Sequence, residues 1–255
     1  MILGSFFALA ASVSGAEPEA PAAPVDLFLL VGQSNMAGRG EITAADREPI
    51  AGAWVLDARL AWAPAVDPLH YDKPKIAGVG LGCEFARTVL AARPGMTIGL
   101  IPAAVGGTSL DEWVPGKGLY QDALVRTRAA LKLGGRLRGI LWHQGEAEAG
   151  DKRLAETYAV RWQAFINQLR ADLGAPDVPV IVGELGYYLT ERINHGSPYA
   201  RVVNEQLNTL PKLVPGVVCV NAEGLKHKGD ELHFDGDSLH TLGRRYAQAW
   251  LEIER

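Results

Sequence analysis

The sequence predicts an α/β fold, a three-layer α/β/α sandwich whose central parallel sheet has about five strands. Three observations predict it. Continuous Val/Ile/Leu runs alternate along the chain with longer segments of helical apolar spacing. Strands apolar on both faces belong to a parallel sheet covered by helices on each side. No internal repeat is present, so the elements form one sheet rather than a stacked array. With 255 residues, 48% apolar and 21% charged, the chain can bury one substantial core.

The first 16 residues, "MILGSFFALAASVSGA", are an apolar run with small residues at Ser14 and Ala16, the pattern of a cleavable signal peptide lacking basic residues in its n-region. The run is short for a bilayer span. Residues 17–24, "EPEAPAAP", form a Pro/Ala linker. A single domain over residues 25–255 is expected, secreted or periplasmic, with no membrane anchor once the signal is removed.

Within that domain "VDLFLLVG" is the first buried strand, and "GCEFARTVLAAR" a helix through Phe85, Val89 and Leu90. "MTIGLIPAAVGG" is a second strand, and Leu119 to Leu133 a helix stopped by two glycines. "LRGILWHQGE" follows as a third strand, and Tyr158, Trp162, Phe165, Ile166 and Leu169 mark a long helix. "VPVIVGELG" and "GVVCVNAEG" are strands separated by the helix "YARVVNEQLNTL". "SLHTLGRRYAQAWLEIE" closes the chain as a helix with Ser238 at its N-cap. Cys83 and Cys219 lie in apolar segments and read as two buried thiols.

A net charge of −4 without a Lys/Arg cluster argues against nucleic acid and anionic membranes as partners. A small, roughly neutral ligand fits better. In open α/β sheets ligands bind beyond the carboxyl ends of the strands. Three strands here end in polar or glycine-rich text, "VGQSNMAG", "AAVGGTSLDEW" and "LWHQGEAEA", and those ends are expected to share one cleft.

Ser34 directly follows the first strand, where Gly32 permits a sharp turn. A serine hydroxyl becomes a nucleophile only when a base takes its proton. "GDELHFDGDS" offers His233, with Asp230 three residues earlier to hold the imidazole in the needed tautomer. His227 and His240 read as surface residues, and His143 as a structural hydrogen-bonding group. Candidate oxyanion donors are the Ser34 N–H, an N–H at Gly106 or Gly107, and the Gln144 amide. A rival metal site can be drawn through His227, Asp230, His233, Asp235 and Asp237, but it lacks H-E-x-x-H and leaves the serine unexplained. No G-x-G-x-x-G follows the first strand, so dinucleotide binding is set aside.

"GQSNMAGRG", "IPAAVGGTSLDEW", "LWHQGEAEA" and "DELHF" resemble, in order, the blocks of the SGNH (GDSL-like) hydrolase superfamily, in the variant of carbohydrate esterase family 6 and the sialate O-acetylesterase domain. The resemblance runs from about Val25 to the C-terminus and implies a flavodoxin-like sheet. It implies Ser34 as nucleophile, Gly106 or Gly107 and Gln144 at the oxyanion, and Asp230 with His233 as acid and base. Glu146, in "HQGE", is the alternative acid. The implied activity is serine-dependent deacetylation of carbohydrate, in acetylated xylan or a related polysaccharide or in O-acetylated sialic acid, with no metal or cofactor. The alternative from another class is a non-catalytic carbohydrate-binding protein of the same fold, against which intact Ser34, Gln144, Asp230 and His233 argue. Gln33, Asn35, Trp113 and Arg39 are candidate substrate contacts.

Overall fold

The computed structural model describes residues 25–191 and 196–254. The expected signal peptide and linker lie outside the described residues. The described strands are β1 (Val25–Gly32), β2 (Ala53–Leu56), β3 (Trp62–Pro64), β4 (Ile98–Pro102), β5 (Gly135–His143), β6 (Val180–Gly183) and β7 (Val217–Val220). They form one seven-stranded sheet in the order β3-β2-β4-β1-β5-β6-β7. The helices are α1 (Ser34–Ala37), α2 (Leu81–Ala92), α3 (Gly118–Lys132), α4 (Lys152–Glu156), α5 (Tyr158–Asp172), α6 (Tyr187–Glu191), α7 (Ala200–Leu213) and α8 (Gly236–Ile253).

The three layers follow from the residues of β1. Leu27, Leu29 and Val31 face one core with Trp162, Phe165 and Ile166 of α5 and Val203 and Leu207 of α7. Phe28 and Leu30 face the other, with Phe85 and Val89 of α2 and Tyr246 and Trp250 of α8. Alternate side chains of a strand point to opposite faces, so a strand buried on both must be apolar throughout.

The five expected strands are all present, and β2 and β3 extend the sheet beyond them. β2 pairs parallel with β4, whereas β3 pairs antiparallel with β2, so the sheet is parallel except at this edge. Four- and three-residue strands are too short to show periodicity, and Pro64 is tolerated in β3 because an edge strand leaves one row of backbone groups unpaired. The closing helix starts differently from expectation. Asp235, not Ser238, is its N-cap, accepting the Ser238 N–H at 2.8 Å. The Ser238 hydroxyl instead accepts the Lys226 N–H at 2.8 Å. Cys83 is buried and Cys219 half-buried, and both are free thiols.

Strand order reverses around β1, which has β4 on one side and β5 on the other. The carboxyl ends of these three strands therefore adjoin at a topological switch point.

Candidate active site

Ser34 opens α1, a single turn set immediately beyond β1. The turn is forced by Gly32, whose φ of 130° is open to glycine and whose added Cβ would collide with the His143 carbonyl. The Gln33 carbonyl accepts the N–H groups of Met36 and Ala37 at 3.0 and 2.9 Å. Among the described residues the Ser34 N–H meets no protein acceptor, as expected at the first position of a helix.

Opposite Ser34 stands the segment between β7 and α8. His233 Nε2 lies 3.0 Å from Ser34 Oγ, and His233 Nδ1 lies 2.7 Å from Asp230 Oδ2. The other Asp230 oxygen accepts the N–H groups of Leu232 and His233 at 3.0 and 2.8 Å. Burial pushes the Asp230 carboxyl up, but these N–H groups and the imidazole outweigh it and hold it at about 2. Burial pulls His233 below its usual value against the pull of Asp230, with Lys228 and Arg39 adding to the depression. The imidazole is then neutral at neutral pH and free to take a proton at Nε2. Such a row can draw the proton from the serine while the acid steadies the imidazolium that results.

The oxyanion candidates separate. Gly106 donates its N–H to Asp72 Oδ2 at 2.8 Å. The Gln144 amide is fully buried and donates to Gln33 Oε1 and to the Thr108 carbonyl, both at 3.2 Å, and to Glu148. Its Oε1 accepts the Tyr158 hydroxyl at 3.0 Å. Both groups are thus engaged with the protein. Gly107 is exposed with φ 81°, and among the described residues its N–H, like that of Ser34, meets no protein acceptor.

Four expected substrate contacts are built into the frame instead. Gln33, 4% exposed, accepts from Gln144 and from the Ala147 N–H. Asn35, 1% exposed, donates to Glu146 Oε1 at 2.6 Å and accepts the Phe234 N–H at 3.0 Å. Trp113 has no exposure at all: it packs edge-on against Trp142, and its buried N–H is satisfied by Thr108 Oγ1. Arg39 is buried, its Nη2 paired with Asp72 at 2.7 Å and its Nη1 donating to the Gly38 carbonyl at 2.6 Å.

Glu146 serves Asn35 through one oxygen, while its Oε2 is buried without a partner among the described residues. Burial lifts its carboxyl to about 7 despite the Asn35 bond. His143 is also buried, beside Tyr246, and burial pushes it down to about 3, so it stays neutral. His227 accepts the Gly229 and Glu231 N–H groups, and His240 pairs with Asp46. Asp235 caps α8, and among the described residues no group of three or more His, Cys, Asp or Glu is arranged to hold a metal.

Sequence reasoning missed Asp72 and Glu148. Glu148 accepts from Gln144 and from the Leu110 N–H at 2.6 Å, tying the end of β5 to the loop after β4. It stands four residues after Gln144 in the same quoted block, a spacing that could have revealed it. Asp72 has no such signal, since its partner Gly106 is 34 residues away.

The fold is an α/β sandwich of SGNH-like architecture. The chain belongs to the family described as "Carbohydrate esterase, sialic acid-specific acetylesterase", whose profile matches residues 24–252. It is 36% identical to a probable carbohydrate esterase of Arabidopsis thaliana over 92% of this chain and 94% of that one. The solved structure of an Arabidopsis thaliana protein superposes with a TM-score of 0.82 at 35% identity, covering 90% of this chain and 99% of the other. NanS is similar in fold, with a TM-score of 0.75 at 19% identity over 91% of this chain and 98% of its own. So is a carbohydrate acetylesterase of Xanthomonas citri, with a TM-score of 0.65 at 20% identity over 88% of this chain and 55% of that one.

Proposed function

We propose that this protein removes O-acetyl groups from carbohydrates through an acetyl-enzyme on Ser34. The observation that carries the reading is the continuous row from Ser34 Oγ through His233 to Asp230, at 3.0 and 2.7 Å, in a chain of a carbohydrate esterase family. Ser34 Oγ attacks the acetyl carbonyl as His233 Nε2 takes its proton. The carbonyl oxygen becomes an oxyanion, received by the N–H groups of Ser34 and Gly107. The imidazolium then gives its proton to the departing sugar oxygen. Water, deprotonated by the same imidazole, attacks the acetyl-enzyme, and the imidazolium returns that proton to Ser34 Oγ as acetate leaves. Each step is a proton transfer or an acyl transfer that this chain's own groups can perform without a metal.

The substrate we favour is an acetylated polysaccharide such as acetylxylan, in line with the broad carbohydrate esterase name of the 36% identical relative. The description of the matching family favours a second substrate, O-acetylated sialic acid. The test is acetate release from 4-nitrophenyl acetate, acetylated xylan and an O-acetylated sialic acid, for the wild type and Ser34→Ala. Release that depends on Ser34 is expected, and the better natural substrate selects between the two sugars. A folded wild type that releases no acetate from any of them overturns the reading.

A further inference from the structure

The turn that follows β4 is held from behind by a buried ion pair. Asp72 Oδ2 accepts both the Gly106 N–H at 2.8 Å and Arg39 Nη2 at 2.7 Å. The Asp72 and Arg39 side chains are 2% and 1% exposed. Arg39 is fixed in turn by Nη1, which donates to the Gly38 carbonyl at 2.6 Å. Gly106 is wedged between this pair and the serine: an added Cβ would lie 2.5 Å from Arg39 Nη2 and 3.3 Å from Ser34 Cβ. The same turn is tied to the serine's strand by the Val105 N–H, which donates to the Gly32 carbonyl at 3.1 Å. Thr108 Oγ1 donates to the Val105 carbonyl at 2.8 Å and closes the turn.

These bonds fix the peptide planes on both sides of Val105, the second of which carries the Gly106 N–H, and so hold the turn from which the next donor, the Gly107 N–H, projects. We propose that Asp72, neutralised by Arg39, is a positioning residue that sets the Gly107 N–H toward the developing oxyanion. The inference rests on the serine esterase reading above. It also explains why the carboxylate comes paired. A bare anion behind the turn would oppose negative charge growing on the ester oxygen, because buried charges are weakly screened. Arg39 cancels that field while the carboxylate keeps its hold on the Gly106 N–H. His70, on the same segment as Asp72, adds no charge, since burial holds it down at about 4 and leaves it neutral.

The experiment compares wild type, Asp72→Ala and Asp72→Asn, with active sites counted by labelling with a serine-directed phosphonate. Loss of one oxyanion donor costs about 10²- to 10³-fold in kcat, and a misdirected donor costs less, on the order of 10- to 100-fold. Asp72→Ala is therefore expected to lose that much kcat per active site with little change in KM. It should lose affinity for 1,1,1-trifluoroacetone, which forms an anionic hemiketal on serine, by a similar factor. Asp72→Asn retains an oxygen to accept the Gly106 N–H and is expected to recover most of both losses. Arg39, left without its counter-charge, depresses His233 further, so the acid limb of the pH profile should move to lower pH in each variant and never to higher. Wild-type kcat per site and wild-type ketone affinity in Asp72→Ala would overturn the inference alone. Absence of Ser34-dependent turnover in the wild type would overturn the esterase reading and the inference with it. Where Asp72→Ala fails to fold, Asp72→Asn is examined for the Gly106 amide proton by NMR. A changed shift and faster exchange support the carboxylate's hold, and values identical to wild type refute it.

Discussion

His233 connects the electrostatics of the site to a measurable profile. In the proposed reaction it must be neutral to accept the Ser34 proton, so activity rises with pH as the imidazolium is lost. Because burial depresses its pKa, the midpoint of that rise is expected below the ordinary histidine value of about 6.5. A kcat/KM profile on 4-nitrophenyl acetate, with a midpoint above that value, would contradict the assignment. Asp230 bears on the same ring at 2.7 Å, whereas Glu146 is bonded to Asn35. Asp230→Asn is accordingly expected to lower kcat by about 10²- to 10⁴-fold and Glu146→Gln by far less, which steady-state kinetics on the two variants will rank. The Asp230–His233 pairing was legible in the sequence because the two residues are three apart and meet locally. The roles of Gln33, Asn35 and Arg39 were not, because a polar residue beside a nucleophile reads the same whether it faces a ligand or a buried partner. Their partners Gln144, Glu146 and Asp72 lie between 33 and 111 residues away.

At the scale of elements, the site depends on how β1 ends. Gly32 lets α1 turn off the strand directly against the end of β5, where any side chain would meet the His143 backbone. Gly32→Ala adds both that collision and an unfavourable φ of 130°, and is expected to cost on the order of 3 kcal/mol or more, read as a lowered urea midpoint. The same change should reduce turnover beyond its effect on the folded fraction, since Ser34 moves with the strand end. The long elements could be read from the chain because five strands and the principal helices carry enough residues for a period to emerge. β2 and β3 could not, because their pairing belongs to the sheet edge rather than to their own few residues. The start of α8 was displaced for a related reason: Asp235 and Ser238 are both good caps, and only the fold decides which hydroxyl or carboxylate is drawn away to Lys226.

Across the whole molecule, buried carboxylates tie stability to pH. Burial lifts Asp67 from 3.8 and Glu146 from 4.5, each to about 7. Between the unfolded and folded values the native state binds more protons than the unfolded chain, so stability falls as pH rises. The contribution is complete below about pH 4 and is lost as pH rises through about 7. Urea unfolding at pH 5 and pH 8 should show this decline, and the double variant Asp67→Asn/Glu146→Gln should flatten it by on the order of 2 kcal/mol or more. An equal decline in the variant would mean that other groups set the slope. The sheet order itself divides the chemistry between distant parts of the chain: Ser34 is 199 residues from the imidazole that faces it. Acid and base are adjacent and arrive together, but the nucleophile is made long before them. In the proposed reaction Ser34 is therefore an ordinary alcohol until the segment that carries Asp230 and His233 has been made and folded against it.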